Sequence, residues 1–363
     1  VLVGQNGSGK SNFLDALAFV SDILKSSLSN AIKLHGGRKS ILFLDQFGNV
    51  SDFIGFYFEF EETNNITTTY EFAVRFEADG TAFIKEEMLF VGDEHIFNWT
   101  HDVFGVHPDL AFGDLIDTLY LGLSKEFSNK TDILHFFENF QIIHPKPDAV
   151  KSFSLLEPEV LFTPTGENSG AKFHEIATNS PLAKNAIEKY LNTINPNFDS
   201  IFTELSKGGR VSLFFGKADQ PNYFFEAPSV SDGTLRAFAI LTSAFYQYPI
   251  INAEKPKSKD RFLAYEEPES GLHSSGSETI FDALRYISDK TQILLSTHST
   301  HIADYVDLGS GREKVLIVES KNGETIIDDI DNTSLEVAQE KLFGLGELLH
   351  MRQLEPKSLV GKS

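Results

Sequence analysis

The sequence predicts an α/β fold with a mixed central sheet, an antiparallel β subdomain and a mostly helical insertion lobe. Three observations carry this. Residues 1–12 read as strand, glycine-rich loop and helix: Val1-Leu2-Val3, then Gly4-Gln5-Asn6-Gly7-Ser8-Gly9-Lys10-Ser11, then the helical rhythm Phe13, Leu14, Ala16, Leu17, Phe19, Val20. Segments 53–61, 67–77 and 81–91 alternate with period two around an Ala78-Asp79-Gly80 turn, the pattern of antiparallel strands. Two later apolar runs, ending at Tyr265 and at Leu295, read as buried strands whose last residues carry chemistry.

Composition bounds the answer. The 363 residues suffice for one large domain or two modest ones, and 41% hydrophobic content makes the chain globular rather than disordered. The 33 phenylalanines, many in alternating runs, favour sheet. With no cysteine there is no disulfide, thiolate metal site or cysteine nucleophile, which fits a reducing cytoplasm. No apolar run is long enough to span a bilayer, so no membrane association is expected. The chain opens inside a strand, and the natural chain is expected to start earlier. A formal charge of −21 repels nucleic acid on average, so DNA binding would need a basic patch or a basic partner. The short basic clusters (Lys33 with Arg38-Lys39, Lys207 with Arg210, Lys255 to Arg261) read as solvated loops.

The first element has the spacing G-x-x-x-x-G-K-[ST]. Glycines let the backbone wrap a polyphosphate so that successive N–H groups point at it, and a helix N-terminus adds positive potential. Asn6, Gly7, Ser8, Gly9, Lys10, Ser11 and Asn12 are therefore the candidate nucleotide-binding residues. Lys10 supplies a mobile charge for the terminal phosphates, and the Ser11 hydroxyl is a Mg²⁺ ligand.

A second helical stretch is expected over 21–33, followed by the three alternating strands, whose glutamates (Glu59, Glu61, Glu62) face solvent. From 101 to 204 the pattern is mixed and mostly helical, with helices over 110–123, 132–140 and 182–191 and a polar surface loop over 163–171. The histidines there (His101, His107, His135, His144, His174) lack a repeated ligand spacing and read as structural or solvent-facing. A hairpin follows, 211–215 with 223–225. Val230-Ser231-Asp232-Gly233-Thr234 opens an apolar helix; the turn is either an ordinary N-cap or a second anion site.

The strand ending in Glu266-Glu267-Pro268-Glu269 places paired carboxylates at a strand end, as a Walker B segment does. Glu266 would hold Mg²⁺ directly or through water, and Glu267 would polarise the attacking water; Glu269 is supporting or structural. The strand ending in Ser296-Thr297-His298-Ser299 puts His298 in reach of a phosphate or the catalytic water. Residues 314–319 and 324–330 read as a hairpin turning at Asn322-Gly323, followed by a helical segment over 335–350. Three regions are expected: 1–100 as a first ATPase lobe, 101–228 as a mainly helical insertion, and 229–350 as the rest of the ATPase core.

Taken in order, the loop at 4–11, the Ser-Asp-Gly-Thr turn, the Glu-Glu-Pro-Glu strand end and the Ser-Thr-His-Ser strand end resemble ABC-class P-loop ATPases of the SMC/RecF/OLD-like branch, often described as bacterial AAA-family ATP-binding proteins. The resemblance covers the start of the chain and about 230–347. It implies that Ser231 and Gly233 are the signature turn, which in that class contacts the ATP held by another subunit, so that two chains sandwich ATP head to tail. It further implies ATP and Mg²⁺ as cofactors, Gly271-Leu272-His273 at the dimer seam, and His298 as the switch histidine. It does not place the glutamine of the family's Q-loop, for which Gln46 and Gln141 are candidates. Glu266 stands where transporters have aspartate.

Residues 315–320 imitate the start of a nuclease Toprim domain, but no Asp-x-Asp follows and a hairpin is the simpler reading. The expected activity is that of a dimeric ATPase switching a separate effector such as a nuclease, in the manner of bacterial anti-phage systems. The alternative is a RecF-like DNA clamp with little turnover.

Overall fold

The computed structural model describes residues 1–42, 51–61, 66–100, 117, 119, 121, 132–157, 160–217, 219–220, 222–246, 262–339 and 343–359. The helix expected over 110–123, together with His101, His107, Gln46, Glu62 and the cluster Lys255 to Arg261, falls wholly or mostly outside these. The chain divides into two units, one of Val1–Ser11 with Gln141–Ser363 and one of Asn12–Phe140. The central sheet draws its strands from both ends of the chain, while the segment between folds on itself.

The larger unit is built on a six-stranded sheet in the order β14-β13-β1-β12-β11-β6. Its strands are β1 (Leu2–Val3), β6 (Phe140–Ile143), β11 (Phe262–Glu266), β12 (Gln292–Thr297), β13 (Leu316–Lys321) and β14 (Glu324–Asp329). β1 runs parallel to β12 and β13, and β11 parallel to β12; the β13–β14 hairpin is antiparallel. β11 is an apolar run because it is buried from Phe262 to Tyr265, whereas β12 is exposed at Gln292 and buried only from Leu295 to Thr297. Val3 pairs with Thr297 and Glu266 with Ser296. The residues that follow each strand (Gly4, His298 and Glu267) therefore emerge at the same end of the sheet.

The helix Asp232–Tyr246 is apolar on nearly every side because it is buried on nearly every side, from Ala237 to Phe245. Phe238, fully buried, packs between Phe173 and Phe215 at ring-centroid distances of 5.3 and 5.5 Å. Its burial is worth roughly 2–3 kcal/mol. A second sheet, β7 to β10 (Ser154–Leu155, Ser200–Ser206, Arg210–Gly216, Phe224–Glu226), is antiparallel about β9. The expected hairpins 211–215/223–225 and 314–330 are thus present as β9–β10 and β13–β14. The stretch over 163–171 is not a surface loop throughout: a helix begins at Ser169, and Ser169, Gly170 and Ala171 are buried. Small polar residues there permit close packing as well as solvent exposure. The C-terminal helical segment is two helices, Asn332–Gln339 and Leu345–His350.

The smaller unit carries the antiparallel sheet β2-β3-β4-β5 (Phe53–Glu61, Thr67–Phe76, Ala82–Val91, Glu94–Thr100), close to the expected bounds. Phe56 lies 4.8 Å from Phe72 and 5.9 Å from Phe19, and Phe58 lies 5.0 Å from Phe137, a stack that turns alternating phenylalanines into a core. Glu59 and Glu61 are exposed, as expected. The helix of 10–25 stops at Lys25, and a separate helix, Leu28–Leu34, starts at the N-cap Ser27.

His35 caps that helix and bridges Asp15 (2.8 Å) and Asp22 (2.9 Å). Burial alone would push its pKa down, but the two carboxylates outweigh burial and hold it up at about 9. A pKa raised above the unfolded value stabilises fully below about pH 6.5, and the contribution fades as pH rises through 9. Asp15 is largely exposed, so screening trims the effect to about 1–3 kcal/mol. The urea stability of the native chain minus that of His35→Gln should shrink by this amount between pH 6 and pH 10. A difference that stays flat across that range would sink the assignment.

Candidate functional site

The loop Gly4–Gly9 follows β1 and runs into the helix starting at Lys10. Gly7 (φ 80°) and Gly9 (φ 102°) hold left-handed backbone. At Gly7 nothing lies within 4 Å of the position a Cβ would take, so the loop is open there, whereas at Gly9 a Cβ would collide with Thr325 of β14. Asn6 and Gly7 are exposed, Ser8 is buried, and Asn12 is exposed on the first turn of the helix. Lys10 is 5% exposed and donates from Nζ to the Gly4 and Gln5 carbonyls at 2.8 and 2.9 Å, which points its charge into the loop. Burial pushes its pKa down, opposed by Glu267, Glu269 and Glu266. A buried cation over an open nest of amides suits a polyphosphate.

Across from the loop, the Ser11 hydroxyl donates to Glu266 Oε1. His144 Nδ1 lies 3.0 Å from Glu266 Oε2. This neighbour first, and Ser11 after it, outweigh burial and hold the Glu266 carboxyl below the ordinary range. Glu267 accepts from His298 Nδ1 at 2.9 Å and from the Ser270 hydroxyl at 3.3 Å. Its backbone is left-handed (φ 43°), sparsely populated for a residue with a Cβ, and Pro268 follows it. Glu269 is buried and accepts from Thr297 Oγ1 at 2.5 Å, bracing the end of β12; burial raises its pKa.

The residues Lys10, Ser11, Glu266, Glu267 and His298, drawn from three separated stretches of sequence, thus form one cluster. Ser231 and Gly233 are not part of it. Ser231 is exposed at the start of the helix Asp232–Tyr246, 2.8 Å from the Thr234 hydroxyl, and among the described residues it has no hydrogen bond to the loop. Gly233 packs on Gly271: a Cβ there would meet the Gly271 carbonyl at 2.3 Å. Any side chain at 233 would have to displace that backbone, so Gly233 has a packing reason of its own.

Two residues escaped the sequence reading. Arg236 reaches the carbonyls of Glu266 and Glu267 at 3.3 Å each, tying the helix Asp232–Tyr246 to the end of β11. His144, grouped above with structural or solvent-facing histidines, stands instead beside Glu266. The available signal was the one used for His298: a histidine just after a short apolar strand, here 140–143, with Pro145 next. Gln141 lies on β6, and Gln46 falls outside the described residues.

A phosphate loop, two strand-end carboxylates and a strand-end histidine on one mixed sheet are the arrangement of a P-loop nucleotide-binding domain of the ABC-ATPase kind. The model of the family described as "AAA domain, putative AbiEii toxin, Type IV TA system" matches residues 1–94 and 120–304, and the chain belongs to that family. Among solved structures, the SmcHead bound to the C-winged helix domain of ScpA aligns over 92% of this chain and 91% of its own at 13% identity, with a TM-score of 0.54, a likeness of fold. The Smc head domain from Pyrococcus furiosus, with an extended coiled coil and bound to the C-terminal domain of ScpA, covers 94% and 92% at 11% identity (TM-score 0.48). The SMC head domain from Thermotoga maritima covers 91% and 89% at 14% (TM-score 0.42). No curated protein sequence matches the chain. No helix among the described residues is long and apolar enough to cross a membrane.

Proposed function

We propose that this chain binds and hydrolyses ATP with Mg²⁺ as a head-to-tail dimer. In this reading it is a cytoplasmic nucleotide-dependent switch that controls a separate effector, such as a nuclease, in antiviral defence. The observation that carries the reading is the strand register that brings Lys10, Ser11, Glu266, Glu267 and His298 to one end of the sheet. The open amide nest at Gly7, the inward-pointing Lys10 and the Ser11–Glu266 pair fit Mg·ATP. When bound, the ion offsets negative charge on the phosphoryl oxygens.

Lys10 exchanges its two carbonyl partners for phosphate oxygens. Ser11 and Glu266 are the protein's ion-holding oxygens. Glu267 takes the proton of the attacking water, aimed by His298 and Ser270. Ser231 and Gly233, exposed or half-exposed at a helix N-terminus and, among the described residues, without a hydrogen bond to the phosphate loop of their own chain, complete the site of a second chain. Closure of the dimer by the γ-phosphate, and release on hydrolysis, would then gate the effector. The family description speaks of a toxin and a TA system, which supports action together with a second component.

ATP with Mg²⁺ should double the native mass of the chain and release phosphate. Unchanged mass at saturating ATP would remove the sandwich. Salt-sensitive duplex binding that appears only with ATP, without phosphate release, would favour the DNA clamp, against which the charge of −21 weighs.

A further inference from the structure

Glu266 presents two oxygens, and they meet different chemistry. Oε1 takes the Ser11 hydroxyl. Oε2 has the Nδ1 of His144 3.0 Å away. That nitrogen is buried although the ring is 37% exposed, and it has no aligned hydrogen-bond partner among the described residues. It sits close to the carboxylate but off the line that a hydrogen bond needs. In the tautomer protonated at Nε2, the Nδ1 lone pair is a ligand. A hydroxyl and an imidazole nitrogen therefore flank the two oxygens of one carboxylate at the place where the nucleotide's ion would be held.

We propose that His144 Nδ1 joins Ser11 and Glu266 as a ligand of the divalent ion that accompanies the nucleotide, so that the site prefers a transition-metal ion such as Mn²⁺ to Mg²⁺. This inference rests on the nucleotide-and-metal reading above. Mg²⁺ takes oxygen ligands and gives up water reluctantly, whereas imidazole suits first-row transition ions. Among the described residues no group of three His, Cys, Asp or Glu side chains forms a metal site by itself. The ion is therefore expected only together with phosphate oxygens.

The test is electron spin echo spectroscopy of Mn²⁺ with the full chain and a non-hydrolysable ATP analogue, alongside Mn²⁺/Mg²⁺ competition. The native chain should show ¹⁴N modulation from a coordinated imidazole. His144→Gln should lose that modulation and about tenfold of the Mn²⁺ preference, while still binding a fluorescent ATP analogue. Nucleotide-dependent Mn²⁺ without nitrogen coupling in the native chain would overturn the inference and leave the nucleotide site standing. Modulation that persists in a folded His144→Gln would assign the nitrogen to another histidine and overturn it equally. Absence of nucleotide binding would sink the reading of the preceding section, and this one with it. The native spectrum decides even should the variant fail to fold.

Discussion

Glu267→Gln is expected to lower ATP turnover by about two to four orders of magnitude while ATP binding is retained. The amide has the shape of the carboxylate and still accepts from His298 or Ser270, but it cannot take a proton from water. The left-handed backbone at 267 is unchanged, so the loop keeps its form. With hydrolysis blocked and the γ-phosphate intact, the ATP-bound dimer should accumulate and be visible by native mass measurement. Turnover equal to that of the native chain, measured by phosphate release, would take Glu267 out of the mechanism.

The second large effect concerns the subunit boundary. Lys10→Ala removes the buried cation from the loop, and Ser231→Arg puts a bulky charge at the exposed turn. Each variant alone should be inactive. Mixed in equal amounts, they should recover about a quarter of native turnover, because half of the dimers are mixed and each mixed dimer has one intact composite site. Ser231 is the position to vary because it is exposed at a helix start, whereas Gly233 is pressed on the Gly271 carbonyl and a substitution there would disturb packing as well. A mixture as inactive as its components would argue that both half-sites serve the same chain or none.

Much of the site was legible one stretch at a time. The loop 4–11 declares itself because wrapping a polyphosphate demands glycine at fixed steps and Lys-Ser at the end. The ends of β11 and β12 declare themselves because a buried strand tolerates polar residues only where it leaves the sheet. The same rule pointed to His144 after Ile143, but one histidine among several in a mixed stretch gave no reason to select it. Arg236 was invisible for a different cause: its partners are main-chain carbonyls, which every residue has.

By itself the sequence determined the chemistry of each segment: a phosphate loop, two strand-end carboxylates, a strand-end histidine, an acidic surface, and the alternating phenylalanines of β2 and β3. Period, turn residues and side-chain charge are local properties, and they survive in a string of letters. The tertiary structure alone decided which segments become neighbours. It set β1 between β12 and β13, brought β6 and its following histidine beside Glu266, and closed Gly233 on Gly271. The first two pairings depend on sheet order and register between residues more than a hundred positions apart, and the third on how a helix start meets the loop after β11; no local pattern encodes either.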